Sequence, residues 1–436
     1  MFKVRISGVG CCLMDRIYDG VDFTSDLFRK YLSKKAGDGG LEPGKLTFEE
    51  ELERFSGDSF ATEILPQLTQ ERKADKENIG GPCIVALINA AQMAYKESEV
   101  CFYGCCGDDE VGEELRQKLL QTPIDLSHYR TQQDSETAST SVLSDPHFDN
   151  GHGERTFVNT IGASWNYLPA ELDDSFYNSN ICVFGGTALV PRIHQGLTAM
   201  LKKAKQSGSI TVVNTVYDFL SEKQNPNQRW PMGDGDEAYY FIDLLIVDHE
   251  EALRLSGCRD IPSAIVFFQE KGAGAVLVTN GARDVYLWAD SPLFGKVPLQ
   301  TLPVSAAVGK ALKEGRKGDS TGCGDNFAGG VIGSLARQIY NGQQTTDNGQ
   351  QTTVNDQCSR LRLSGSNDQA RFSIAKREQA QGEASMFNVQ CSMDLVECTK
   401  WGIVSGGFAC FYYGGTYIEK KEGEKLTLLQ ELYDQY

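Results

Sequence analysis

The sequence lacks the short segments that mark several large enzyme classes. It has no G-x-x-x-x-G-K-[ST] segment, which argues against a P-loop nucleotide site. It has no G-x-S-x-G or H-E-x-x-H segment, which argues against a serine hydrolase and a zinc protease. A dinucleotide fingerprint begins at Gly8 and Gly10, but Leu13 stands where the third glycine is required. Any nucleotide site in this chain must therefore be built by another kind of loop.

Positive charge and long apolar runs are also scarce. The 42 lysines and arginines face 59 acidic residues, and the net charge of −17 argues against nucleic acid, which requires a basic surface. No run approaches the ~18–20 apolar residues of a membrane span. Phe2–Val9 predicts a buried strand and not a secretion signal, because only four residues separate Arg5 from Gly10. The sequence predicts a soluble chain with no nucleic-acid or membrane partner.

Cysteine pairs with metal-site or redox spacing are missing as well. The 13 cysteines are an odd number, and no two of them form a C-x-x-C pair. This pattern fits neither a disulfide framework nor a zinc ribbon. A reduced, cytoplasmic compartment is the simplest interpretation.

The periodicity of the middle of the chain predicts an α/β protein. Between Ile181 and Val278, short runs rich in valine and isoleucine alternate with stretches of helical apolar spacing. Such alternation predicts a doubly wound, mostly parallel sheet with helices on both faces, here as a single domain over residues 1–436. Ligands of such sheets bind beyond the C-terminal strand ends.

Two stretches differ in composition from the rest. Residues 34–76 are charged and poor in apolar side chains, which predicts a peripheral insertion. Residues 341–388 contain the near-repeat NGQQTT and are rich in serine and glutamine, which predicts a loop or a disordered insertion. A regulatory role for the second stretch is the alternative.

The segment Asp319–Gly330, DSTGCGDNFAGG, carries the strongest chemical signal. It opens directly into a predicted helix, and its two glycines let the backbone turn several N–H groups toward one point. The amides of Gly322, Cys323 and Gly324 are therefore predicted to form an anion hole at a helix N-terminus. A carboxylate beside such a hole suits a general base, so Asp325 is the predicted catalytic residue. An ordinary glycine-rich turn before a helix is the alternative for such a segment in isolation.

This segment resembles the C-terminal signature of the PfkB, or ribokinase-like, carbohydrate kinase family, D-T-x-G-A-G-D, with Cys323 in place of alanine. Further segments resemble the family's motifs in the family's order. They are Asp15 after the first strand, Gly80-Gly81, the glycine-rich Tyr103–Gly112, Glu154-Arg-Thr-Phe, Asp248-His-Glu-Glu251 and Thr279-Asn-Gly281.

The resemblance implies a kinase that transfers the γ-phosphoryl group of ATP to a hydroxyl of a small molecule. It implies a ribokinase-like fold with a small β-rich lid, from strands near 15–25, 101–107 and 138–162. Mg²⁺ accompanies ATP, and a monovalent cation and a homodimer through the lid are left open. The implied roles are substrate binding by Asp15, Gly80, Gly81 and Arg155, ATP binding by Asp248, Glu251, Thr279, Gly281 and Thr321, and an indirect contact of Glu251 with Mg²⁺.

Departures from the family pattern keep the substrate open. Ile84 stands where the family often has an asparagine that contacts the sugar, and Asp248 replaces an asparagine. Lys313, Arg316 and Lys317 precede the glycine-rich segment; solvated surface charge is their predicted role, and phosphate binding is the alternative. A sugar is the predicted acceptor. The alternatives are a nucleoside kinase of the same fold and a catalytically weak, ligand-binding or regulatory relative.

Overall fold

The protein is described by a computed structural model that covers residues 2–35, 37–151, 153–316, 318–347 and 392–436. Within these residues, no helix is long and apolar enough to cross a membrane.

A ten-stranded sheet forms the centre of the molecule, in the order β15-β14-β13-β12-β11-β10-β1-β5-β6, with β7 also paired to β5. All neighbours from β13 to β6 run parallel, and only β14 and β15 add antiparallel strands at one edge. Its strands are β1 (Val4–Val9), β5 (Ser98–Gly107), β6 (Ile124–Asp125), β7 (Tyr129–Gln132), β10 (Ile181–Gly185), β11 (Ile210–Asn214), β12 (Leu244–Asp248), β13 (Ala275–Thr279), β14 (Val285–Ser291) and β15 (Gly295–Leu302).

Helices cover both faces of this sheet, because successive strand side chains point to opposite sides. Val183 packs into the core on one face, and Phe184 packs into the core on the other. The doubly wound, mostly parallel α/β prediction is confirmed. The helices are α1 (Asp26–Tyr31), α2 (Glu49–Ser56), α3 (Leu65–Thr69), α4 (Pro82–Met93), α5 (Glu110–Leu119), α6 (Phe148–Gly151), α7 (Asp174–Tyr177), α8 (Pro191–Gln195), α9 (Leu197–Gln206), α10 (Phe219–Gln224), α11 (His249–Ser256), α12 (Ile261–Glu270), α13 (Ala306–Lys313), α14 (Cys323–Asp347), α15 (Leu395–Ala409) and α16 (Glu424–Tyr433).

A second, five-stranded sheet, here called the lid sheet, has the order β3-β9-β8-β2-β4. Its strands β8 and β9 are antiparallel neighbours. The five strands of the lid sheet are β2 (Leu13–Asp19), β3 (Leu46–Phe48), β4 (Lys76–Gly80), β8 (Ser139–Asp145) and β9 (Glu154–Thr160).

Three boundaries differ from the sequence predictions. Residues 101–107 are not a lid strand, because they belong to β5, which pairs in parallel with β1 inside the central sheet. The early lid strand ends at Asp19, short of the predicted 25. Helix α14 continues through Asp347, into the range predicted as an insertion at 341–388, and residues 348–388 lie outside the described part of the chain.

The stretch 34–76 has more regular structure and a better packed apolar core than its composition suggests. It contributes β3, α2 and α3, and with α1 it forms a separate apolar core against the lid sheet. Leu52 and Ile64 are fully buried in this core, together with Leu143 and Val158 from the lid sheet. The stretch was predicted as a peripheral elaboration because its apolar residues are few. Those few side chains are nevertheless concentrated on one face of the lid sheet.

Candidate active site

The glycine-rich turn before α14, here called the phosphate turn (residues 319–325), has a backbone that requires glycine. Gly322 has φ +72°, and a Cβ atom there would lie 2.6 Å from the Cα of Gly415. At Gly324, by contrast, no atom of the described residues lies within 4 Å of the position a Cβ would take. The turn is therefore tightly supported on one side and open on the other.

Asp319 holds the start of the phosphate turn. Its buried carboxylate accepts hydrogen bonds from the backbone N–H of Thr321 at 2.9 Å and of Gly414 at 3.3 Å. The Cys323 N–H makes a longer bond, 3.3 Å, to the carbonyl of Ser320. The amides that the sequence assigns to the anion hole thus lie on a turn fixed by Asp319 and by the loop that follows α15.

A buried polar network lies directly behind this turn, centred on Asn326. The Asn326 side chain donates to the carbonyls of Gly322 at 2.9 Å and Gly415 at 2.8 Å. Its own carbonyl oxygen accepts from the Lys425 ammonium at 2.9 Å and from the Tyr412 hydroxyl at 3.2 Å. Lys425 is only 1% exposed, and burial lowers the pKa of its ammonium to about 7. The C-terminal helix α16 therefore fixes the orientation of the residue that follows Asp325.

Asp325 lies in the first turn of α14 and is half-buried. Burial raises the pKa of its carboxyl to about 6. A carboxyl with a pKa in this range is ionised near neutral pH and is a stronger base than an exposed aspartate, as general-base catalysis requires.

Asp15 lies in the middle of β2, opposite Asn78 of β4 and Thr140 of β8. Burial is the main cause that raises the pKa of its carboxyl to about 7; a hydrogen bond from Thr140 opposes the rise, and the negative charges of Asp325 and Asp319 add to it. The predicted substrate aspartate therefore lies within electrostatic range of the predicted base.

The two glycines before α4 make room for Asp15. A Cβ at Gly80 would lie 2.3 Å from Oδ2 of Asp15. Gly81 has φ +108°, and a Cβ there would lie 2.5 Å from the Cys11 carbonyl oxygen. These contacts give a steric reason for both glycines, which the sequence assigns to substrate binding.

Two polar side chains of the lid sheet contact the phosphate turn and the loop that follows α15. The guanidinium of Arg155, on β9, lies 3.5 Å from the Asp319 carboxylate. Asn78, on β4, donates to the carbonyls of Tyr413 at 2.7 Å and Thr416 at 3.1 Å. Arg155, predicted to bind substrate, thus connects the lid to the turn that carries Asp325.

Asp248 and Glu251 lie where β12 ends and α11 begins. The Asp248 side chain accepts from the Glu251 N–H at 2.8 Å, and Oε2 of Glu251 accepts from the Asp248 N–H at 3.0 Å and the Thr215 hydroxyl at 2.5 Å. Burial is the main cause that raises the pKa of the Glu251 carboxyl to about 8. The negative charges of Asp248 and, to a smaller extent, Asp325 add to this rise. The pair therefore belongs to the same acidic environment as the predicted base.

Thr279 and Gly281 lie beside this pair, at the end of the neighbouring strand β13. Thr279 pairs with Asp248 in the register of the sheet, and Gly281 has φ +58° in the turn that follows. The predicted ATP residues on β12 and β13 thus share the C-terminal edge of the sheet. Thr321, also predicted to bind ATP, donates its backbone N–H to the Asp319 carboxylate.

A narrow cavity of about 20 Å³, with room for about one water molecule, lies between the lid sheet and the C-terminal ends of the central strands. Its lining is mostly apolar and includes three aromatic side chains, with Asn159 and Ser164 as its polar members. Asn159 donates to Thr140 at 3.0 Å, which links the cavity to Asp15. The lining residues are Cys11, Leu13, Phe48, Ala138, Asn159, Ile161, Ser164, Trp165, Ala188, Leu189, Phe219 and Leu220.

Phe48 of this lining belongs to β3, within the stretch predicted as peripheral. Its ring packs edge-on against Phe219 of α10 with 6.0 Å between centroids. An ion pair between Glu51 of α2 and Lys223 also joins this stretch to α10. The stretch 34–76 therefore supplies a wall of the cavity.

The model of the pfkB family of carbohydrate kinases matches residues 58–347, more than half of the chain. The chain belongs to the PfkB carbohydrate kinase family. It is therefore a kinase, as the phosphate turn and the accompanying motifs predict. A fructokinase from Klebsiella pneumoniae is 27% identical over 241 residues, which cover 54% of this chain and 70% of the relative.

Solved structures share the PfkB fold at low identity. An adenosine kinase from Sinorhizobium meliloti superposes with a TM-score of 0.62 at 15% identity, covering 99% of each chain. A candidate ribokinase II from E. coli, solved with ATP and Mg²⁺, superposes with a TM-score of 0.57 at 12% identity, covering 99% of this chain and 100% of the other. The ribokinase-like fold prediction is confirmed.

Several residues of the PfkB site escaped sequence reasoning. Asp319 lies inside the recognised segment and was readable there as a polar turn residue. Contacts between elements far apart in the chain define the roles of Thr215, Asn326 and Lys425. A single sequence offers no signal for such contacts. Lys313 and Arg316 lie in and just after α13, where the Arg316 guanidinium stacks 5.0 Å from the Phe411 ring, and Lys317 lies outside the described residues.

Proposed function

We propose that this kinase transfers the γ-phosphoryl group of MgATP to a hydroxyl of a small molecule, with Asp325 as general base. The acceptor O–H gives its proton to the Asp325 carboxylate as its oxygen attacks the γ-phosphorus, and ADP leaves. The amides of Gly322, Cys323 and Gly324 stabilise the charge that spreads over the equatorial oxygens. The observation that carries this proposal is the position of Asp325 in the first turn of α14, next to the open Gly324 side of the phosphate turn. Burial there also raises the pKa of its carboxyl.

ATP is assigned to the C-terminal edge of the central sheet, beside Asp248, Glu251, Thr279, Gly281 and Thr321. Among the described residues, no group of three or more histidine, cysteine or acidic side chains is placed to hold a metal ion. Mg²⁺ commonly binds through phosphates, waters and one or two carboxylates, so Glu251 fits an indirect role. Its raised pKa supports this role, because a nearby cation relieves the repulsion among the buried carboxyls. Bound Mg²⁺ supplies positive charge to the phosphate oxygens.

Asp15 is assigned to the acceptor. Its carboxylate can accept hydrogen bonds from hydroxyls neighbouring the reacting one, and its contact with Thr140 orients it from the lid sheet. The contact of Arg155 with Asp319 and that of Asn78 with the loop after α15 support a lid that closes over the phosphate turn. A closed lid excludes water, which otherwise competes as the acceptor.

The acceptor is either a sugar, as the sequence predicts, or a nucleoside, which the cavity favours. Phe48, Trp165 and Phe219 offer aromatic surface to a planar group, and few polar side chains are available there for hydroxyls. A free sugar would leave several of its hydroxyls unpaired in such a lining, which is costly. A nucleoside could place its base there only after the lining side chains move apart, because the cavity of about 20 Å³ has room for about one water molecule. Its ribose would lie between Asp15 and Asp325.

A coupled assay of ADP release tests the proposal. The purified full chain is incubated with MgATP and a panel of hexoses, pentoses and nucleosides, and the Asp325→Asn variant is run in parallel to exclude contaminating kinases. Phosphorylated product from one class, absent with the variant, supports the proposal and selects the acceptor. ADP release that is equal in both proteins would contradict the role of Asp325.

A further inference from the structure

Two thiols meet at the phosphate turn. Cys323 begins α14, Cys410 directly follows α15, and their sulfur atoms lie 3.4 Å apart. Both side chains are partly exposed, whereas eight of the eleven described cysteines are buried. The only other partly exposed cysteine in the described ranges is Cys258, in the turn after α11.

Glycine packing between α14 and α15 keeps the two sulfur atoms close. A Cβ at Gly330 would lie 2.6 Å from the Trp401 carbonyl oxygen, and one at Gly406 would lie 2.8 Å from the Cys323 carbonyl oxygen. Such close backbone approach holds the start of one helix against the end of the other. The two cysteines therefore have little freedom to separate.

We propose that Cys323 and Cys410 form an oxidant-sensitive dithiol site, and that their disulfide switches off phosphoryl transfer. A peroxide is the oxidant. The thiolate of Cys410 attacks one peroxide oxygen, which becomes part of a sulfenic acid while the other oxygen leaves as water after protonation. The Cys323 sulfur then attacks the sulfenic sulfur, and the second water leaves. Two thiols and one hydrogen peroxide thus become one disulfide and two waters.

The ionisation of the pair favours this reaction. The hydrogen bond between the two sulfurs lowers the pKa of Cys410 to about 7 and raises that of Cys323. A thiolate is the reactive form of cysteine, and one next to a second thiol is readily captured as a disulfide.

The disulfide would disturb the phosphate turn itself. A sulfur–sulfur bond measures about 2.05 Å, so the two sulfur atoms must approach by more than an ångström. Cys323 lies between Gly322, which is already in contact with Gly415, and the open Gly324. Motion of Cys323 therefore displaces the amides assigned to the anion hole, and a displacement of about 1 Å at a reacting centre costs roughly 10²-fold in rate.

The test uses the full chain, reduced, freed of reductant and treated with hydrogen peroxide. The inference rests on the proposed function for its activity readout, whereas the cross-link is measured independently by mass. We expect a mass loss of about 2 Da, a cross-linked 323–410 peptide and a fall in kcat of roughly 10²-fold. Dithiothreitol should restore both the mass and the activity.

Two variants complete the test, each compared with its own reduced form. Cys410→Ala should lose the cross-link and keep its activity under peroxide, whereas Cys258→Ala should behave as the unaltered chain does. Peroxide inactivation that persists in Cys410→Ala, or a complete 323–410 cross-link with unchanged kcat, would overturn the proposal. If no acceptor is phosphorylated, the proposed function fails, but failure of the cross-link to form would still refute the dithiol site by itself.

Discussion

Asp325 is the proposed general base, and replacing it with asparagine keeps its size while removing its basicity. We expect Asp325→Asn to lower kcat by ~10²–10⁴-fold, the usual contribution of a general base. Binding of ATP and acceptor should persist, because the backbone of the phosphate turn is held by Asp319 and Asn326. Initial rates and calorimetric affinities measure the two effects. A kcat near that of the unaltered chain would remove Asp325 from the base role.

Asp15 combines a functional role with a cost in stability that depends on pH. Its folded-state pKa of about 7 lies above the ordinary value of 3.8, so the folded protein holds this proton more tightly than the unfolded chain. The resulting stabilisation is complete below pH ~4 and is lost as the pH rises through about 7. Asp15→Asn avoids this loss of stability, because its amide does not ionise as the pH rises.

We therefore expect Asp15→Asn to raise Tm relative to the unaltered chain by at least ~2 °C at pH 8, with a smaller difference at pH 5. The same substitution should raise the KM for the acceptor, because an amide replaces a carboxylate that accepts from hydroxyls. Thermal melts at several pH values and acceptor saturation curves measure the two outcomes. A Tm difference that does not change with pH would show that Asp15 is not protonated in the fold.

Lys425 is a positioning residue, since it acts on Asp325 through Asn326. Lys425→Met removes the donor at 2.9 Å, while Tyr412→Phe removes the weaker donor at 3.2 Å. We expect kcat to fall by about 10-fold for Lys425→Met and by less for Tyr412→Phe, with little change in either KM. If the two substitutions only destabilised the fold, the active fraction would fall, but kcat would not fall more for Lys425→Met than for Tyr412→Phe. Equal kcat values for Lys425→Met and the unaltered chain would contradict the role.

At the scale of elements, strand β9 connects the lid sheet to the phosphate turn through Arg155 and Asp319. Arg155→Met keeps the length of the side chain but removes the charge, leaving the buried Asp319 carboxylate with one partner fewer. Because we propose that the lid closes over the acceptor, we expect the acceptor KM to rise several-fold more than the KM for ATP.

The lid sheet offers a matched control for this substitution. Arg16, on β2, pairs with Glu77 at 3.2 Å and Glu114 at 2.7 Å, away from the phosphate turn. Arg16→Met should leave both KM values near those of the unaltered chain. Equal effects of the two substitutions would mean that Arg155 contributes only general charge to the lid.

At the scale of the whole molecule, sequence reasoning succeeded where the signal is local. The parallel strands carry their own apolar runs, and the phosphate turn is continuous in sequence. It failed where distant elements meet. Residues 101–107 resembled a lid strand until their parallel pairing with β1 was known. Lys425 lies about 100 residues from its partner, and Phe48 lies in a stretch whose charged composition hides its few buried side chains.

The molecule contains a separate core on the lid, which predicts two levels of unfolding. Leu52 is fully buried in the core built from 34–76 and the lid sheet, whereas Leu277 is fully buried in the core of the central sheet. Truncation of either leucine to alanine costs ~2–5 kcal/mol locally. Regions with their own core can open without global unfolding.

We expect Leu52→Ala to speed amide hydrogen exchange mainly in residues 26–69 and in β8 and β9, with ATP affinity retained and acceptor affinity reduced. The loss of acceptor affinity follows because Phe48 belongs to the same stretch and lines the cavity. Leu277→Ala should instead lower the protection of the central strands and the global Tm. If Leu52→Ala speeds exchange uniformly across the chain, the lid is not an independent unit, and its opening cannot be separated from the unfolding of the nucleotide-binding sheet.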